Sequence, residues 1–115
     1  MTYPNRLLSI LFIVAVQALI SSSSWAATLP TAELTLHNGT LTPSNVEVLA
    51  NTRFKLVLHN TGNSPAEFES KRLRQEKVLA PGVTSFVVIY PLTPGEYEFV
   101  DEFHLPQAKG MIIAK

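Results

Sequence analysis

The 115-residue sequence contains no cysteine. That excludes disulfides, the lipid-carrying thiol of a bacterial lipoprotein, and any thiolate acting as nucleophile or metal ligand. Charge of one sign is also missing: nine basic residues stand against nine acidic ones. Neither nucleic acid nor an anionic membrane surface is therefore an expected partner. The one long apolar run, Leu7 to Ile20 (LLSILFIVAVQALI), falls short of the roughly 20 residues of a membrane span. There is no internal repeat, low-complexity tract or linker. No serine stands in a recognisable motif with a histidine and an acid, so a hydrolase is not expected.

The apolar run has a use of its own. Arg6 precedes it, and SSSSWA follows, with small residues at Ser24 and Ala26. A basic start, a short apolar stretch and a small-residue end describe a secretory signal peptide. The expected division is a signal over residues 1–26, removed together with the single tryptophan, Trp25, and one domain over residues 27–115. The mature domain keeps eight basic and nine acidic residues, a formal charge of −1. Export without cysteine points to the bacterial periplasm, with no membrane anchor after cleavage. A domain this small must hold itself by its core, or by its core and a bound ligand.

Past residue 30 the hydrophobic pattern has a period of two. Glu33–His37, Asn45–Ala50, Phe54–Asn60, Ala66–Ser70 and Glu96–Val100 alternate; Gly110–Ala114 closes the chain. Phe54, Leu56 and Leu58 share one face. Thr84–Leu92 (TSFVVIYPL) is β-branched, aromatic and nearly continuous in apolar residues, as suits a buried strand. Turn chemistry separates these segments: NGT, TPSN, ANT, NTGNSP, APG and TPG. Lys71–Val78 (KRLRQEKV) breaks the pattern and reads as a short helix or a solvated loop. Seven or eight short strands with frequent turns predict an all-β Greek-key sandwich.

Three features then coincide: LTPSNVEVLANTRFKLVLHNTG, with its strand, turn and strand ending in Asn-Thr-Gly; LAPGVTSFVVIYPLTPGEYEFV, with two Pro-Gly turns around a strand; and a last loop with His104 and then Lys109-Gly110. Their order resembles the cupredoxin fold of blue copper proteins over about Leu34 to Ala114. The resemblance implies a copper site of two histidines, a cysteine and a weak methionine. Here Asp101 stands at the cysteine position, His104 matches the second histidine, Ala108 replaces the methionine, and Ala66 stands where the first histidine belongs. With no thiolate, a blue copper centre is excluded. PAEFESKRLRQEK, followed by APG and PGEYEFVDEFH, is similar to the cupredoxin-like periplasmic components of bacterial ferrous-iron uptake systems that work beside an oxidase-dependent iron permease.

That resemblance implies copper as cofactor, iron as substrate or ligand, periplasmic or membrane iron-transport components as partners, and a copper-dependent ferroxidase as the enzymatic form. The expected metal residues are Asp101, His104, Glu67 and Glu69, a hard donor set suited to Cu(II) or iron. Asp101 and His104 sit three apart and converge only if the chain turns after Val100. Glu67 and Glu69 share one strand face, with Phe68 on the other, in the core. Glu102 is expected to face away from Asp101, supporting the site or merely solvated. His37 and His59 read as polar-face residues, Met111 as a strand or core methionine, and the basic run at Lys71–Lys77 as a solvated face or a docking patch. The rival reading is a cupredoxin-fold module without metal that binds a protein partner.

Overall fold

The computed structural model describes residues 28–115. The expected export signal lies outside the described residues. Nine strands follow one another: β1 (Thr31–His37), β2 (Thr40–Thr42), β3 (Asn45–Val48), β4 (Phe54–Asn60), β5 (Ala66–Ser70), β6 (Gln75–Leu79), β7 (Thr84–Ile89), β8 (Gly95–Asp101) and β9 (Lys109–Ala114). One sheet has the order β2-β1-β4-β7 and the other β3-β9-β8-β5-β6. The pairs β1–β4 and β3–β9 are parallel; the remaining neighbours are antiparallel. This is the all-β sandwich expected from the alternation.

Each strand turns its apolar positions into the space between the sheets, because successive side chains point to opposite faces. Leu34, Leu36, Leu56 and Leu58 line it from one sheet; Phe68, Phe99 and Ile112 line it from the other, all fully buried. Phe68 and Phe99 pack with ring centroids 5.5 Å apart and planes inclined by 36°. Gly110 on β9 makes room for that pair. A Cβ there would lie 2.6 Å from Phe99 Cε2 and 2.6 Å from the Ser44 carbonyl oxygen. Backbone holds one side of this gap, so the clash has no easy relief. Gly110→Ala is expected to cost about 1–3 kcal/mol by overpacking, read as a lower urea midpoint; an unchanged midpoint would show that Phe99 can shift.

Two segments differ from expectation. Lys71–Val78 is neither helix nor loop. Lys71–Arg74 form a tight turn, closed by Arg74 N–H donating to the Lys71 carbonyl at 3.2 Å, and the chain returns as β6 in register Ser70↔Gln75 to Ala66↔Leu79. β6 is an edge strand that buries only Leu79, so its period of two never reaches the hydropathy pattern. Second, β7 is buried on one face alone. Val87 and Ile89 face the core, whereas Phe86 is 49% exposed and Tyr90, just past the strand, 70%. Cations from the neighbouring β4 and its approach cover these rings: Lys55 Nζ lies 4.1 Å from the Phe86 centroid and the Arg53 guanidinium 5.5 Å from that of Tyr90. Aromatic and β-branched composition marked the strand correctly but not its sidedness.

Candidate functional site

The site grows from the end of β8. Asp101 is the last residue of the strand and wholly buried. The chain then turns through one 3-10 turn, Glu102–His104, and Asp101 caps it: its Oδ1 accepts from Phe103 N–H at 3.2 Å. The same oxygen accepts from Glu67 N–H on β5 at 3.0 Å. The turn swings His104 back, so that its Nδ1 lies 2.7 Å from Asp101 Oδ2. Asp101 and His104 therefore do converge, by the turn after the strand that their spacing requires. The loop is pinned further by Asp101 N–H donating to the Ala108 carbonyl and Ala108 N–H to that of His104.

A carboxylate only accepts, so the His104 Nδ1 carries the hydrogen and, in the neutral ring, Nε2 is the acceptor. That nitrogen lies 3.1 Å from Ser64 Oγ, which donates to it. Ser64 is held from beneath by Asn60, another buried polar residue. Its Nδ2 donates to the carbonyls of Ser64 and Leu79 at 2.9 and 3.0 Å, and its Oδ1 accepts from Gly62 N–H at 3.0 Å. On the other side the β1–β2 hairpin closes in. Asn38 and Gly39 both have positive φ, 47° and 89°, the Asn-Gly turn of a tight hairpin. The missing side chain at Gly39 lets the turn rest against the imidazole, since a Cβ would meet His104 Cβ at 3.2 Å.

The glutamates form a second group. On β5, the Glu67 and Glu69 side chains lie on the face opposite buried Phe68, away from the core. Glu102 stands beside Glu69, and hydrogen bonding between the carboxyls in their protonated form, then desolvation and the repulsion between the two, hold the Glu69 carboxyl above the usual glutamate range; Lys71 partly offsets it. Glu67 is also raised, by partial desolvation first and then by Glu76, Glu102 and Asp101. The Glu69–Glu102 pair borders an open groove of about 460 Å³ whose wall includes Val100, Leu105, Lys109 and Met111. Met111 is thus a strand-face residue, and Glu102 an active member of the group.

Raised carboxyls carry a sign that experiment can read. Below the ordinary carboxyl range the pair is protonated in both folded and unfolded chains, and its contribution to stability is fully present. That contribution is lost as pH rises through the raised folded value, because the folded chain must then hold like charges together. Glu69→Gln should melt with wild type near about pH 4 and above it near about pH 7. A constant difference across that range would contradict the repulsion between the paired carboxyls.

The structure thus divides the four expected metal residues in two. Asp101 and His104 are joined to each other and to Ser64, with their polar atoms already engaged; Glu67 and Glu69 look outward. The link between the groups is the Glu67 backbone. Among the described residues no three His, Asp or Glu side chains are placed to hold one metal ion. Without thiolate or thioether at the loop, and with both Asp101 oxygens accepting hydrogen bonds, these residues do not fit a preformed blue copper centre. Sequence reading missed Ser64, Asn60 and Glu76. Asn60 carried a signal, since an Asn closing a strand two residues before Gly is an Asx-turn pattern. Ser64 carried none, because the partner of its hydroxyl, His104, lies 40 positions away.

A family profile described as the cupredoxin-like domain matches residues 9–114. The chain belongs to the cupredoxin-like domain family. A curated relative, an uncharacterized protein of Rickettsia prowazekii (strain Madrid E), is 36% identical over 81 residues, covering 70% of this chain; the chain spans 65% of that protein's length. Among solved structures, the metal-binding domain of the Cu(I)-exporting P-type ATPase of Streptococcus pneumoniae D39, with Cu(I), superposes with a TM-score of 0.65 at 13% identity, over 74% of this chain and 84% of that one. Auracyanin from Roseiflexus castenholzii gives 0.63 at 13% identity, over 77% and 98%. A copper binding protein solved in its apo form gives 0.61 at 18% identity, over 76% and 98%. At these identities the cupredoxin-like chain shares the fold with its copper-binding neighbours, while its loop residues are its own.

Proposed function

We propose that this cupredoxin-like protein is exported to the periplasm and carries a divalent metal ion, ferrous iron or Cu(II), as cargo on the carboxylates of Glu69 and Glu102. The observation that supports this best is that those two carboxyls meet on the wall of one open groove: side by side they repel, and a cation bound between them relieves that repulsion. Glu67 and Glu76 add negative field beside the pair. Two carboxylates with water completing the shell hold a hard ion loosely, which suits a cargo that must be passed on. The copper binding of two structural neighbours, and the resemblance to iron-uptake components, favour a delivery role to a periplasmic or membrane iron-transport component.

Melting the protein with Fe(II) under anaerobic conditions, and separately with Cu(II), tests this. A bound ion stabilises by mass action, by about 2.7 kcal/mol at a hundredfold excess over its dissociation constant. The rise in Tm should vanish in Glu69→Gln/Glu102→Gln. No rise in wild type, or an equal rise in the double variant, would instead favour a metal-free module that binds a protein partner. The engagement of every Asp101 and His104 polar atom within the fold supports that second reading.

A further inference from the structure

The metal reading leaves the buried end of the loop unused. There Asp101 Oδ2 meets His104 Nδ1 at 2.7 Å, and His104 Nε2 meets Ser64 Oγ at 3.1 Å. Carboxylate, imidazole and hydroxyl stand in the order and at the spacings of an activated serine nucleophile, an arrangement recognised by geometry rather than by position in the chain. From this juxtaposition we infer that Ser64 is a nucleophile, with His104 its general base and Asp101 the orienting acid, and that the protein hydrolyses small carboxylic esters.

Each member is placed for its part. Asp101 is wholly buried and fixed by two backbone N–H donors, so it cannot swing away from the ring. It sets the tautomer that leaves Nε2 as acceptor. Ser64 sits in the β4–β5 loop, partly exposed, with its backbone carbonyl tied down by Asn60. The next loop residue back, Asn63, donates its N–H to Asn38 Oδ1 at 3.0 Å. The His104 side chain is 22% exposed and forms part of the wall of an open cavity of about 300 Å³. Asn38, Thr40 and Gln107 supply polar groups to that wall and Leu105 an apolar one. Ser64 does not itself line that cavity; its hydroxyl adjoins it through the imidazole.

The chemistry balances without metal or redox partner. Ser64 Oγ bonds to the ester carbonyl carbon as its proton passes to His104 Nε2. The bond from that carbon to the leaving oxygen breaks, and the leaving oxygen takes the proton, departing as an alcohol. Water, deprotonated by the same nitrogen, then attacks the acyl-serine and releases the carboxylic acid. The sum is ester and water to acid and alcohol.

The test uses the purified chain in EDTA, with diisopropyl fluorophosphate as covalent probe and p-nitrophenyl acetate as ester. The expected result is a single diisopropylphosphoryl adduct on Ser64 by peptide mapping, and a fall in ester hydrolysis of about 100-fold or more in Ser64→Ala. The natural chain has no cysteine, so Ser64→Cys supplies a second readout: its one thiol should be alkylated by iodoacetamide faster than free cysteine at the same pH. An adduct elsewhere or none, hydrolysis equal in wild type and Ser64→Ala, hydrolysis lost in EDTA, or a Ser64→Cys thiol no faster than free cysteine would each overturn the assignment. None of these outcomes bears on the metal-dependent melting shift, so the two readings fail separately.

Discussion

Asp101→Ala is expected to destabilise the fold by about 3–5 kcal/mol, since hydrogen bonds to a charged group are worth about 1.5–3 kcal/mol each and their donors would be left unpaired. One fully buried carboxylate accepts from Glu67 N–H, Phe103 N–H and the His104 ring. Those donors belong to β5 and to the 3-10 turn that opens the loop before β9, so a single side chain fastens the two together. Nothing else polar is placed to replace it: among the described residues no buried side-chain nitrogen or oxygen lacks a partner. Urea unfolding reads the loss as a lower midpoint with unchanged slope. Asp101→Asn should lose less. Its remaining oxygen can keep both backbone donors, while its amide faces Nδ1 and forces the imidazole into the other tautomer, turning Nε2–H toward Ser64. An Asp101→Ala effect below about 1 kcal/mol would mean that water satisfies these groups and that the clamp is not what orders the loop.

The same clamp shows which parts of the molecule could be read before folding. Strands that bury one clean face, such as β4 with Phe54, Leu56 and Leu58, announce themselves because burial and alternation coincide. The Asp101–His104 convergence was also readable, since spacing three in a strand demands a turn and the resemblance supplied one. Other features were not readable, for physical reasons. β6 is an edge strand with one buried residue, so its pattern is that of a solvated segment. The sidedness of β7 depends on Lys55 and Arg53, residues of a different segment, lying over its rings. Ser64 meets His104 across forty positions, and Glu69 meets Glu102 across thirty-three; both contacts arise only from the β5–β8 pairing. A site assembled across strands leaves residue types in the sequence but not their company.

That pairing is short. β5 and β8 meet in register through Phe68↔Asp101 and Glu69↔Val100 alone. Phe68, which shares a rung with Asp101, is therefore the residue through which core and site depend on each other. Its side chain is fully buried against Phe99. Phe68→Ala should cost about 3–5 kcal/mol, the transfer free energy of the ring plus the cavity it leaves. Partial collapse is hindered because Phe99 already packs closely on Gly110. The half-exposed Phe86 provides the comparison: Phe86→Ala removes the same ring from the solvent face of β7 and should cost within about 1 kcal/mol. If the two substitutions lowered the urea midpoint equally, the cavity argument would fail. The local consequence separates this loss from a general loosening. With β5 released from β8, the Glu67 amide should exchange its hydrogen faster than the β4 amides do, because its acceptor, Asp101 Oδ1, lies across the weakened pair. Uniform acceleration across both sheets would mean that Phe68 supports the sandwich as a whole and leaves the Asp101 clamp to hold itself.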